Sequence, residues 1–255
     1  MARDDKRLYI FYRHVHIKAD KISRDPNKSR PSWFSHETCF QNLLSTVRLD
    51  PKGSQVSLIV MYDGPMDDFS DDFISRYYAN SSLGINLQFI RGGSDLNSFL
   101  ITLGLAKAID MQQDDLIYIL ENDYLHQHGW VSKVFELFNS GIEFDYASLY
   151  DHRDKYHYDM YANLTSKLVY TDTHHWRTAP STCASFILEK RTLERDYPVF
   201  SAGLTDYYFF SKLVGEQGRA LLTPVPGLAT HSMEGYLSPT VDWATLAAQA
   251  AVGLG

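Results

Sequence analysis

Apolar positions in the first half of the chain alternate between strand-like runs and helical spacing. Leu8–Arg13 is a short apolar run with strand composition, and Phe40, Leu43, Leu44 and Val47 then recur at helical intervals. Val56–Tyr62 predicts a second strand, stopped by Asp63-Gly64-Pro65. Asp67–Asn80 predicts a helix whose acidic first turn suits the positive end of the helix dipole. Gly84–Arg91 predicts a third strand. Gly92-Gly93-Ser94 predicts a tight turn into a helix carrying Leu96, Phe99, Leu100 and Leu103 on one face. The run from Leu116 to Leu120 predicts a strand buried on both faces, as in a parallel sheet. Another helix follows, with Val131, Val134, Phe135 and Phe138. Alternation of this kind predicts parallel strands joined by right-handed crossovers.

The second half is less regular. Phe144–Tyr150 predicts a strand, and Asp151–Thr165, rich in Asp, His and Tyr, predicts a loop. Lys167–Thr171, His175–Thr178 and Thr182–Leu188 predict antiparallel strands. Thr205–Val214 predicts a helix between Gly203 and Gly218, and Pro224, Pro226 and Gly227 break the chain before Ala229-Thr230-His231. The Ala/Gly-rich end, Ala244–Gly255, reads as a helix fragment cut from something longer. With no internal repeat or low-complexity linker, the expectation is one domain.

Composition narrows the function classes. The 255 residues are 44% hydrophobic and 22% charged, which fits an ordinary globular protein with ample core. A net charge of -7 disfavours a nucleic-acid groove. No apolar run approaches the roughly 20 residues that span a bilayer, and the charged N-terminus does not read as a signal peptide. The two cysteines, Cys39 and Cys183, are far apart and form no metal-type pair, so a reducing, cytoplasmic location is expected. The 17 tyrosines and 14 phenylalanines suit sugar or base stacking as well as core filling.

The candidate chemistry collects at predicted strand ends. Glu121 and Asp123 close the Leu116 strand with one residue between them, so both can face one side. Ligands of open α/β sheets bind beyond the carboxyl ends of the strands, where such acids can hold a hard cation against a phosphate. The bland alternative is a solvated turn. Asp63 either accepts hydrogen bonds from a nucleobase or ribose or simply forms an Asp-Gly turn. Gly92, Gly93 and Ser94 either let a phosphate approach a helix N-terminus or serve ordinary strand-to-helix geometry. The segment from Arg13 to Arg30 concentrates Arg13, Lys18, Lys21, Arg24, Lys28 and Arg30 on an acidic chain. Arg13, nearest the strand end, is the best candidate for an anionic ligand, with a solvated loop as the alternative for the rest.

Asp206 lies at a predicted helix start, where the dipole favours its ionised form and it could take a proton from an attacking hydroxyl; an N-terminal cap is the alternative. His231 can ligate a divalent cation or be merely structural, and His126, His128, His174 and His175 carry the same two readings. His174-His175-Trp176-Arg177 could line an acceptor groove.

The order of these parts resembles the nucleotide-sugar glycosyltransferases of the GT-A fold, from about Leu8 to His231. Glu121-Asn122-Asp123 is similar to that family's Asp-x-Asp motif, with Glu in place of the first acid. The resemblance implies an α/β, GT-A-like single domain over residues 1–255. Residues 1–123 would form a mostly parallel, Rossmann-like nucleotide-binding half, and 124–255 a mixed, antiparallel acceptor-binding and catalytic half. It implies that Asp123 and His231 bind Mn2+ or Mg2+, and that Glu121 holds the ribose or sugar. Asp63 would contact the nucleoside, and Asp206 would be the general base of an inverting transfer. Thr205 stands where many members carry a second acid. The implied partners are a nucleoside-diphosphate sugar, with UDP-sugars favoured, and a glycan or glycoprotein acceptor; the implied product class is a hexosyl or deoxyhexosyl transfer. A sugar-phosphate nucleotidyltransferase is the competing enzyme class, although Arg13–Arg30 lacks the glycines of its signature loop. A non-catalytic carbohydrate-binding or assembly module, and an α/β protein without a nucleotide site, are the remaining alternatives.

Overall fold

The computed structural model describes residues 5–16, 29–80 and 84–252. The organising element is β1 (Leu8–Val15), parallel to β2 (Val56–Asp63) on one side and β4 (Leu116–Glu121) on the other. β3 (Asn86–Ile90) extends the parallel sheet beyond β2. Past β4 the sheet becomes mixed: β9 (Phe186–Glu189) runs antiparallel between β4 and β6 (Tyr146–Ala147). β10 (Leu221–Val225) is parallel to β6, and β8 (His175–Thr178) and β7 (Leu168–Tyr170) close the edge in antiparallel pairing. The order β3-β2-β1-β4-β9-β6-β10-β8-β7 makes one continuous nine-stranded sheet. A separate two-stranded ribbon pairs β5 (Tyr124–His126) with β11 (Ala229–His231).

Side-chain alternation explains the two layers around the sheet. Leu8, Ile10, Tyr12, Leu58, Val60, Tyr118 and Leu120 face α1 (His36–Arg48), α2 (Phe73–Asn80) and α4 (Trp130–Asn139). Their neighbours Phe11, Ile59, Met61, Ile117 and Ile119 face α3 (Asp95–Ala108), and α5 (Asp154–His157) lies in the segment that follows β6. α6 (Lys190–Phe200) and α7 (Asp206–Phe210) pack on the same face as α3, and α8 (Trp243–Val252) lies against α1 and β5. Ser35 and Ser94 cap α1 and α3 by accepting backbone N–H bonds, each worth about 1 kcal/mol. No helix among the described residues is long and apolar enough to cross a membrane.

Several elements differ from expectation. The 67–80 helix is split: Met66–Asp71 is a 3-10 segment, Asp72 is extended, and α2 begins only at Phe73 because Asp72 Oδ1 accepts the Ile74 N–H. The Phe144–Tyr150 strand shrinks to Tyr146–Ala147, and the 151–165 loop contains α5 and a 3-10 turn at Asp159–Tyr161. The Thr182–Leu188 strand begins only at Phe186. The 205–214 helix is α7 followed by π turns over Ser211–Glu216. Pro224 sits inside β10 rather than breaking the chain. α6, which the apolar pattern did not announce, contains Pro198 in its last turn. Of the Ala/Gly-rich end, residues 253–255 lie outside the described residues.

Candidate functional site at the carboxyl end of the parallel strands

β1, β2 and β4 end side by side, so their last residues share one rim. The register pairs Arg13 with Glu121, and Val15 with Asp63. Beyond Glu121 the chain turns through Asn122 and Asp123 into β5, and antiparallel pairing with β11 sets His231 opposite Tyr124. Two predicted residues 108 positions apart are thereby joined: His231 Nε2–H donates to Asp123 Oδ2 at 2.9 Å. The Ser232 N–H also donates to the Asp123 carbonyl, which fixes the turn.

Arg30 completes this cluster. Its Nη2 donates to Asp123 Oδ2 at 2.7 Å and its Nη1 to the Ser232 carbonyl at 2.8 Å, while its guanidinium lies over the Phe34 ring at 4.4 Å. Asp123 is 6% exposed. Burial opposes its charge, but the attraction and hydrogen bonds of His231 and Arg30 prevail and hold its carboxyl well below the usual range. For His231 the balance has the opposite sign: burial disfavours the imidazolium, and Asp123 overrides it and raises the pKa. Asp123 Oδ1 is buried without a hydrogen-bond partner.

Glu121 stands differently. Desolvation, and then repulsion by Asp123, push its carboxyl up to about 7 although Arg13 lies nearby. Arg13 is 5% exposed; its Nη2 bonds the Asp95 carbonyl at 2.9 Å and carboxylate at 2.5 Å, and its Nη1 is 3.7 Å from Glu121 Oε1. Its Nε and Nη1 have no hydrogen-bond partner.

Asp63 Oδ1 accepts the Gly92 N–H at 2.9 Å, so this carboxylate already braces the turn into α3. A side chain at Gly92 would meet Asp63 Oδ2 at 2.5 Å and the Ser98 backbone at 2.9 Å, and Gly93 has a left-handed φ of +68°. The turn therefore requires both glycines on steric grounds. Ser94 is the cap of α3.

Asp206 begins α7 and accepts the Tyr207 N–H at 2.7 Å. Burial, with repulsion from Asp95, raises its pKa from the ordinary value, while the Tyr207 N–H at the helix start acts in the opposite sense. Glu121 and Asp206 both act on the Cys183 thiol, whose pKa burial raises well above its usual value. Both cysteines are free.

Other candidates are not part of this rim. Trp176 is fully buried, so His174–Arg177 does not present it to a groove, and Arg177 is bound to Asp151 at 2.8 Å. His126 is fully buried against the Tyr118 hydroxyl. Lys18, Lys21, Arg24 and Lys28 lie outside the described residues.

Sequence reasoning missed Asp95, which reads as an ordinary acid of a helix first turn. It also missed a relay beside the acid turn: Asp72 Oδ2 accepts from His14 Nε2 (2.9 Å) and His16 Nδ1 (2.7 Å), while Asn122 Nδ2 donates to His14 Nδ1 (3.3 Å). The His14-x-His16 spacing after a strand was its only signal.

This architecture recurs in solved structures. GalNAc-T7, solved with UDP, GalNAc and Mn2+, superposes with a TM-score of 0.57 at 9% identity, over 92% of this chain and 46% of that one. The chain has a GT-A-type fold. The α/β domain expected from the order of motifs is the one observed, with a large mixed sheet. A protein assigned as a glucose-1-phosphate thymidylyltransferase from Bacillus anthracis, solved with sucrose, superposes with a TM-score of 0.51 at 8% identity over 95% of each chain. The GT-A fold of this chain is thus shared with both glycosyl- and nucleotidyltransferases. At such identities the likeness concerns fold alone. No protein-family model matches the sequence, and no curated protein matches it.

Proposed function

We propose that the protein transfers a sugar from a nucleoside-diphosphate sugar, with UDP-sugars favoured, to a hydroxyl of a glycan or glycoprotein acceptor. The observation that carries this reading is the meeting of Asp123 and His231 at the end of β4, beside Glu121 and Arg13. In GT-A-type folds this rim is where the resemblance puts the donor.

The residues fit a divalent cation. Among the described residues no group of three His, Cys, Asp or Glu side chains is arranged around one point. Mg2+ and Mn2+ sites, however, are commonly built from one or two protein ligands plus substrate phosphates and water. The buried, unpartnered Asp123 Oδ1 offers a free carboxylate oxygen, and His231 would exchange its N–H bond to Oδ2 for lone-pair donation. Oxygen and imidazole donors favour Mn2+ or Mg2+ over thiolate-bound metals. When bound, the cation would supply charge stabilisation to the departing nucleoside diphosphate.

The remaining roles belong to the chain. Arg30 and the unpartnered Arg13 Nε and Nη1 neutralise phosphate charge. Glu121, whose carboxyl burial and Asp123 push upward, pairs with a ribose or sugar hydroxyl. Asp63, Gly92, Gly93 and Ser94 shape the nucleoside side. Asp206, with its raised pKa, takes the proton of the acceptor hydroxyl as that oxygen attacks the anomeric carbon from the face opposite the leaving group. One displacement inverts the configuration.

The 95% mutual coverage with the thymidylyltransferase-like structure supports a second reading, nucleotidyl transfer to a sugar phosphate. Product analysis separates the two. Nucleoside diphosphate released from a nucleotide sugar in the presence of an acceptor supports glycosyl transfer. Pyrophosphate released from a nucleoside triphosphate and a sugar 1-phosphate, with inert nucleotide sugars, supports the second reading and overturns the first.

A further inference from the structure

Glycosyl transfer as read above requires an acceptor hydroxyl at Asp206, and the present inference rests on that reading. The surface around Asp206 is aromatic. Tyr207 and Tyr208 follow it directly and are exposed, with ring centroids 5.5 Å apart. The His152 imidazole lies within electrostatic reach of the Asp206 carboxylate. From His152 a run of rings leads both ways. Inward, His152 lies 4.6 Å from Tyr150, and Tyr150 lies 6.4 Å from His231 at the acid cluster. Outward, His152 lies 6.0 Å from Tyr236, and Tyr236 lies 6.4 Å from Tyr158, with the two hydroxyls hydrogen-bonded. Tyr158 is 44% exposed.

The geometry points to this lane, from His152 through Tyr236 to Tyr158, as the subsite for a neutral oligosaccharide acceptor. Three features select that chemistry. Aromatic faces match the C–H faces of sugar rings, while tyrosine and histidine tips pair with hydroxyls. Tyrosine has few rotatable bonds, so little freedom is lost on binding. Charge argues against a polyanion. The nearby cations Lys155 and Arg177 are engaged by Asp154 and Asp151, and exposed Arg153, which donates to His157, is too little positive charge for a polyanion. The lane is several rings long, so it is sized for more than a single sugar, and its His152 end lies against Tyr150, the buried ring beside His231.

Saturation-transfer NMR tests this on the full chain with UDP and Mn2+ present. The probes are neutral di- to tetrasaccharides of glucose, galactose and N-acetylglucosamine, against a glycerol-phosphate oligomer. Neutral saccharides are expected to take up saturation, to lose about 3- to 10-fold in affinity in Tyr158→Ala, and to recover in Tyr158→Trp. A merely structural tyrosine would not be rescued by the larger ring. The proposal is overturned if no neutral saccharide binds a folded protein, if Tyr158→Ala binds as wild type, or if the phosphate polymer binds more tightly. The nucleotide arm is independent. Saccharide binding without any nucleotide-induced shift would uphold the lane and remove the transferase reading; a nucleotide shift without saccharide binding would do the reverse.

Discussion

Two charged clusters, at opposite ends of the sheet, solve the problem of buried charge differently. At the amino end of β6 and β10, Asp196 accepts from the Tyr146 hydroxyl, from Arg195 at 2.5 to 3.0 Å and from Arg219 at 2.9 Å. Arg195 also reaches Asp145 at 2.7 Å. Every buried polar atom of that network has a partner, as a packing role requires. At the carboxyl end of β4, by contrast, Asp123 Oδ1 and Arg13 Nε and Nη1 are buried without a hydrogen bond. Unmet hydrogen-bonding capacity costs stability unless a ligand supplies it. The saturated cluster matches its own charges, and the unsaturated one is where the proposed function puts a polar ligand.

The largest expected effects break this contrast directly. Asp206→Asn should retain nucleotide binding and lose about 10²- to 10⁴-fold in transfer rate, measured as single-turnover product formation. Normal transfer by that variant would remove Asp206 as the base. Next, Asp196→Ala should destabilise the free protein by about 2–4 kcal/mol in denaturant titration, because two arginines and a tyrosine lose their acceptor. It should leave nucleotide-induced stabilisation unchanged.

The residues of these two clusters also show what sequence could reveal. The strands β1, β2 and β4 were legible because strands covered on both faces must be apolar along their length, and the abrupt switch to Glu121 and Asp123 marked where cover ends. Asp123 and His231 were legible singly, as residue types at breaks. Their meeting was not, because it depends on a three-residue ribbon pairing distant segments. Arg30 on Asp123 and Asp196 between two arginines were equally hidden, since long-range ion pairs leave no periodicity. Helix α6 escaped because Pro198 and a run of charged residues mask its buried face. The split at Asp72 escaped because a side chain capping its own backbone overrides helix spacing.

Asp72 sharpens the comparison through pH. Burial opposes its ionisation, but His14, His16 and the Ile74 N–H hold its carboxyl down at about 2, against an ordinary 3.8. A depressed carboxylate stabilises the fold above the ordinary value, and that contribution is lost as pH falls through about 2. Asp72→Asn should therefore cost about 1–2 kcal/mol at pH 6, with the gap to wild type closing between pH 4 and pH 2 in thermal unfolding. A gap independent of pH would contradict the relay. The smallest effect expected is at Arg30. Arg30→Ala frees Asp123 Oδ2 of a competing cation, so calorimetry should show Mn2+ alone binding about 3- to 10-fold more tightly than to wild type. Weaker Mn2+ binding would show that Arg30 supports the cation rather than competing with it.

The most direct test of the unsaturated cluster is a thermal-shift series of nucleoside diphosphates with Mn2+, Mg2+ or EDTA, on wild type and Asp123→Ala. Ligands that bind the native state raise its melting temperature by mass action. At least one nucleoside diphosphate should stabilise wild type in the presence of metal, lose that effect in EDTA, and have no metal-dependent effect on Asp123→Ala. No shift with any nucleotide, or a shift that survives both EDTA and Asp123→Ala, would contradict the account.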